Sequence, residues 1–210
     1  MMRRIARLAR REDGMSLVEL LVAMMILGIV AAVFATTLSS VQRVVSQTDS
    51  RTQNNTQARL AIEELDREIR SGNVLYDPGS GADAFYRFKI YTQSNAPTRD
   101  PAPGYVCRLW RITATYDLQT RFWPPAQPED ATEWRTVATG VVNRALSPAV
   151  PAFALDPDPN KGGRTVNIVL MMNNDLANRP NETVKIQSSL TGRNTSYGFP
   201  ISVCNSEPAD

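Results

Sequence analysis

From Leu20 to Leu38 the chain runs nineteen residues without a charged side chain, LLVAMMILGIVAAVFATTL. At 1.5 Å per helical residue this run spans about 28 Å, close to the hydrocarbon thickness of a bilayer. Val41, Val44 and Val45 extend the apolar pattern, and then Gln, Thr, Ser and Asn dominate from Gln47 to Gln57. Ala58, Ile62, Leu65 and Ile69 follow at spacings of 4, 3 and 4, which is one face of a helix. The opposite face has Arg59–Glu63, Glu63–Arg67 and Asp66–Arg70 at i,i+4, the last two with the acid first. No helix breaker stands between Gly28 and Gly72, and Ser71-Gly72-Asn73 reads as a C-terminal stop. The pattern predicts one long helix over 15–71, transmembrane over about 20–38. A flexible linker at Gln47–Gln57 between two helices is the competing reading.

Past Gly72 the period changes from 3.6 to 2. Tyr86, Phe88 and Ile90 alternate with Arg87 and Lys89, a half-buried strand. Tyr105–Tyr116 predicts a longer strand with Val106, Trp110, Ile112 and Ala114 on one side. Further strands are predicted at Trp134–Val142, over Val166 to Met172 and over Val184 to Leu190, with Ile201–Cys204 as a short last one. Proline-rich loops separate them at Asn95–Gly104, Pro124–Glu129, Pro148–Pro151 and Asp156–Gly163. The expectation is an α+β fold: a long N-terminal helix packed on a mainly antiparallel sheet. The β-rich part, 72–210, has room for one core and not for two.

Charge divides the chain differently. Arg3, Arg4, Arg7, Arg10 and Arg11 precede the apolar run, against Glu12 and Asp13. Of the 23 basic and 21 acidic side chains, 18 and 19 remain once residues 1–14 are set aside. The basic balance therefore belongs to the first fourteen residues. Arginines ahead of an apolar helix predict that this end stays cytoplasmic and that 72–210 is extracytoplasmic. They do not point to nucleic acid, which needs a basic patch on the folded part. One carboxylate, Glu19, opens the helix, and the next charge is Arg43. An acid at the mouth of a membrane helix is costly and marks a functional position. A secretory signal peptide fits less well, because its apolar core is shorter and ends at a small-x-small site.

Chemistry is sparse. The chain has no histidine, which excludes Ser-His-Asp and Cys-His arrangements. No phosphate-cradling loop occurs, so no enzyme, cofactor or metal centre is expected. Asp156-Pro-Asp158-Pro-Asn160 resembles the start of a calcium loop, but Lys161 stands where glycine is needed. Trp110, Trp123 and Trp134 read as core, with Arg108, Arg111 and Arg135 as solvated neighbours; stacking on single-stranded DNA is the minority reading. Cys107 and Cys204 form an even pair on the extracytoplasmic side and read as a disulfide. Two buried thiols remain the alternative.

The order basic leader, Gly14, Met15, Ser16, two apolar residues, Glu19, apolar run resembles the processing site of type IV prepilins and type II secretion pseudopilins. That resemblance implies cleavage after Gly14 by prepilin peptidase, a membrane aspartic protease, with N-methylation of Met15. It also implies that Glu19 pairs with the N-terminal ammonium of a neighbouring subunit. The segment Gln57 to Gly72 and the later Thr191-Gly-Arg-Asn194 are similar to J-type minor pseudopilins and W-type minor pilins. The wide separation of Cys107 and Cys204 departs from the short loop of major pilins and favours a minor subunit. The implied partners are prepilin peptidase, other pilin or pseudopilin subunits, the inner-membrane assembly platform and the lipid bilayer. A DNA-binding subunit of a competence pilus is the alternative function. A single-pass membrane protein unrelated to pili ranks below it.

Overall fold

The computed structural model describes residues 15–79, 83–93, 104–158, 163–192 and 199–209. Helix α1 covers Leu17–Ser71 without interruption, so the polar stretch Gln47–Gln57 is helical and is not a linker. Two units divide the chain, Met1–Thr48 and Asp49–Asp210.

In the first unit the large apolar side chains from Leu17 to Val45 are exposed. A helix that is apolar all round is stable only when buried in protein or lipid, and this one is long and apolar enough to cross a membrane. Several of its hydroxyls bond back to the helix backbone. Thr36 and Thr37 donate to Val33 O at 2.8 and 2.9 Å, and Ser39 to Ala35 O at 2.9 Å. That bonding removes most of the cost of placing them in hydrocarbon.

The second unit holds two antiparallel sheets rather than the single one expected. Strands β1 (Gly72–Leu75), β2 (Arg87–Gln93), β3 (Tyr105–Ile112), β4 (Leu118–Trp123) and β5 (Arg135–Ala138) lie in sequence order. Strands β6 (Phe153–Leu155), β7 (Thr165–Met172) and β8 (Val184–Thr191) form the second sheet. Ala58, Ala61, Leu65 and Ile69 of α1 are fully buried with Phe88, Ile90, Trp110, Ile112, Phe153, Ile168 and Leu170. The helical stripe thus joins the inner faces of both sheets. The step from helix to strand is abrupt: a Cβ at Gly72 would stand 3.0 Å from Ile69 O and from Ile90 Cγ2. Glycine lets β1 leave the helix directly against β2.

The five-stranded sheet is buried on its outer face as well. Val74, Tyr76, Tyr91, Cys107, Leu109 and Trp123 form a second cluster there with Cys204. Three predicted strands are corrected accordingly. Tyr105–Tyr116 ends at Ile112, because Thr113–Asp117 makes the hairpin turn into β4. Trp134–Val142 is strand only over Arg135–Ala138; Val142–Arg144 is a 3-10 turn. Ile201–Cys204 is also a 3-10 turn, lying against the sheet face without a ladder partner.

Asn143 holds the connection between the sheets. It is fully buried; its Nδ2 donates to Val150 O at 3.1 Å and Val169 O at 2.8 Å. Its Oδ1 accepts from Met171 N at 2.9 Å. Asn143→Ala removes the side-chain partner of three part-buried backbone groups, and a loss of about 3 kcal/mol is expected in urea unfolding of the full chain in mild detergent. A loss below about 1 kcal/mol would mean that water replaces the amide.

Candidate functional site

Three places hold the candidate chemistry. The first is the start of α1. Gly14 lies outside the described residues, and the residues from Met15 onward are described. Leu20 N donates to Ser16 O at 3.1 Å, the first turn of the helix. Glu19 sits in that turn and is exposed. A carboxylate there meets the positive end of the helix dipole. Among the described residues no cation pairs with Glu19.

The second is the outer sheet face. Cys107 and Cys204 are bonded, with Cα atoms 5.7 Å apart across a separation of 97 residues. Residues 199–209 lie over the sheet as a strap. Phe199 packs on Tyr91 and Tyr105, with ring centroids 5.4 and 5.2 Å away. Tyr76 Oη accepts from Cys204 N at 3.1 Å, and Trp123 Nε1 donates to Ser206 O at 3.1 Å. Glu207 bridges Arg87 at 3.0 Å and Lys89 at 2.8 Å. Arg121 donates to the carbonyls of Pro208 and Ala209, each at 3.0 Å.

The third place was not foreseen. Glu68 of α1 is buried, and its two oxygens are both used. Arg108 Nη1 meets Oε1 at 2.9 Å, and Trp110 Nε1 donates to Oε2 at 2.9 Å. Burial pushes the Glu68 carboxyl up to about 7, against the opposing pull of Arg108 and the Trp110 hydrogen bond. Burial likewise lowers the Arg108 guanidinium from its usual value, with Glu68 opposing. The sequence signal was present: Glu68 falls three residues after Leu65, on the apolar stripe.

The tryptophan and arginine expectations divide. Trp110 and Trp123 are core. Trp134 is half-buried, with Arg111 stacked 3.6 Å and Arg121 4.3 Å from its ring centre. Of the arginines, Arg108 departs from the expectation, being ion-paired inside the domain, whereas Arg135 is exposed and pairs with Glu64 at the surface. On the helix surface Asp66–Arg70 forms the expected pair at 2.7 Å. In the acidic loop Asp158 N donates to Asp156 Oδ1 at 3.0 Å. Asn160, like Arg193 and Asn194 of the Thr191-Gly-Arg-Asn194 stretch, lies outside the described residues.

No curated protein and no solved structure matches the chain. A family model described as the prokaryotic N-terminal methylation motif matches residues 9–35, from the arginines through Gly14, Met15 and Glu19 into α1. The match and the long apolar helix together support a type IV pilin-like precursor anchored in a membrane.

Proposed function

We propose that the chain is a minor pilin or pseudopilin, a structural subunit of a type IV pilus or of a type II secretion pseudopilus. It is made as a single-pass inner-membrane precursor with its N-terminus inside. Prepilin peptidase cuts after Gly14 and methylates Met15, and the product joins an extracytoplasmic filament. The observation that carries this reading is the methylation motif at residues 9–35, set on a helix with one acid in its first turn.

The physics of Glu19 agrees with it. A carboxylate among packed apolar helices needs a cation. Cleavage generates one, the ammonium of Met15, and assembly brings it to a neighbour's Glu19. The disulfide separation of 97 residues supports a low-copy subunit over a major pilin. Cys107 and Cys204 have a structural role in this reading, and the chain itself is not an enzyme.

Gly14→Leu should accumulate a precursor fourteen residues longer on a gel. Mass spectrometry of the wild-type chain from membranes should find N-methyl-Met15 as the first residue. Normal processing of the Gly14→Leu chain, or an unmethylated different N-terminus, overturns the proposal.

A further inference from the structure

A groove of about 530 Å³ opens where four segments of the second unit meet, one of them Thr139 and Gly140 after β5. Gln53 and Gln57 come from α1, Tyr116 and Asp117 from the β3–β4 hairpin, and Asn174 and Asp175 from the β7–β8 connection. The segments are tied together by short bonds. Gln57 Oε1 accepts from Thr139 N at 3.3 Å and Thr139 Oγ1 at 3.2 Å. Val141 N donates to Tyr116 O, and Asn173 N to Gly140 O, both at 2.8 Å. Gly140 has φ +70°, and a Cβ there would lie 2.1 Å from Asn174 Oδ1. Glycine at this position lets the Asn174 amide rest against the backbone.

The chemistry of the walls selects a ligand class. No lysine or arginine lines the groove, and two carboxylates do, so an anion is disfavoured. The exposed lining is divided about evenly between polar and apolar atoms, Tyr116, Leu176 and Ala177 among the lining residues, a mixed wall that suits a ligand with both hydroxyls and C–H faces better than a lipid. A metal ion is poorly served, because Asp175 Oδ1 already accepts from Asn178 at 2.7 Å and Asp117 Oδ2 from Thr115 at 3.1 Å. What remains is a set of amide and carboxylate groups beside one aromatic ring. With Oε1 engaged, Gln57 presents Nε2 as a donor, and each remaining carboxylate oxygen accepts. Side chains of this kind grip neighbouring hydroxyls, while a ring covers the C–H face of a sugar.

Tyr116 supplies the ring under an unfavourable condition. It is the one non-glycine residue with positive φ among the described residues, at +69°. A bulky side chain costs energy in that region, where glycine does not, and such outliers concentrate at ligand sites. The strain is held by Thr113 O, which accepts from Tyr116 N at 3.2 Å, and by the Val141 bond to Tyr116 O. We propose that this groove is a binding site for a neutral glycan, with Tyr116 as its stacking ring and Gln53, Gln57, Asn174 and Asp117 as its hydroxyl and amide partners.

The test is isothermal titration of the full chain in a detergent without a sugar headgroup. The probes are chitotetraose, which carries acetamido groups, and cellotetraose, which does not. Saturable binding of at least one is expected, in the weak range typical of open sites, near about 1 mM or tighter. Tyr116→Gly removes the ring and suits the positive φ, so it should keep the melting temperature while weakening binding at least tenfold. Gln53→Ala, on the helix surface, should weaken it several-fold without touching the hairpin. Absence of binding by both tetrasaccharides up to about 10 mM, or unchanged affinity in both variants, overturns the assignment.

Discussion

Replacing Glu68 with alanine is expected to lower the unfolding free energy by about 3–5 kcal/mol at pH 8. The measurement is urea unfolding of the full chain in mild detergent, followed by tryptophan fluorescence. At that pH the wild-type carboxylate is ionised and bonded to Arg108 and Trp110. Its removal strands a buried guanidinium and an indole N–H, and both desolvation costs then stand uncompensated. Glu68 also gives the chain a pH dependence of definite sign. Its folded pKa is raised from 4.5 to about 7, so between those values the folded state holds a proton that the unfolded state has released. Stability therefore falls as pH rises from about 4.5 to about 7 and is level above it. The change amounts to roughly 3 kcal/mol. Glu68→Gln should flatten this window; an equal slope in wild type and variant would place the titrating group elsewhere.

Cys204→Ser is the second large effect, at about 4 kcal/mol. On the chain-entropy view a closed loop near one hundred residues is worth roughly 4–5 kcal/mol. Loss of the bond also loosens the strap from Val74, Tyr91, Leu109 and Trp123, the outer cluster it covers. Removal of native disulfides from small extracytoplasmic domains commonly costs 2–5 kcal/mol. The strap's other bonds, from Tyr76, Trp123, Arg121 and Lys89, keep the estimate off the upper limit. The readout is the urea midpoint with and without the substitution, plus thermolysin cleavage before Ile201 or Val203 of the strap. A midpoint shift smaller than about 1 kcal/mol would show that those polar contacts hold the strap unaided.

The helix was legible because its signals are local. The spacing of Ala58, Leu65 and Ile69 named the buried face, and the absence of a breaker predicted the continuity through Gln47–Gln57. Strand β4 escaped because Leu118–Trp123 is buried on both faces, so its sequence has no clean alternation. Strand β6 has three residues, too few for a period. Ile201–Cys204 alternates like a strand and yet is a 3-10 turn, since the disulfide and Tyr76 hold it against the sheet face, where no ladder partner exists. The block from Gly14 to Glu19 stood out by its resemblance to a known processing site and falls within the methylation motif matched over residues 9–35; lipid physics accounts only for the basic leader and for the cost of Glu19. Glu68 falls on the apolar stripe of its helix, but its spacing names no partner for it. Only the sheet reveals that Arg108 and Trp110 face it. The groove around Tyr116 is likewise a product of four distant segments, joined largely by backbone bonds that no residue type announces.

The strap has a consequence for how the chain matures. The sequence has two cysteines, so a single intramolecular pairing exists and shuffling within one chain has no wrong outcome. Every error must be a bond between chains. If 72–210 is exported as proposed, Cys107 crosses the membrane 97 residues before Cys204, and for that interval it is a thiol without its mate. On that reading the crowding of nascent chains during this interval, rather than the fidelity of pairing within one, sets the loss to covalent dimers.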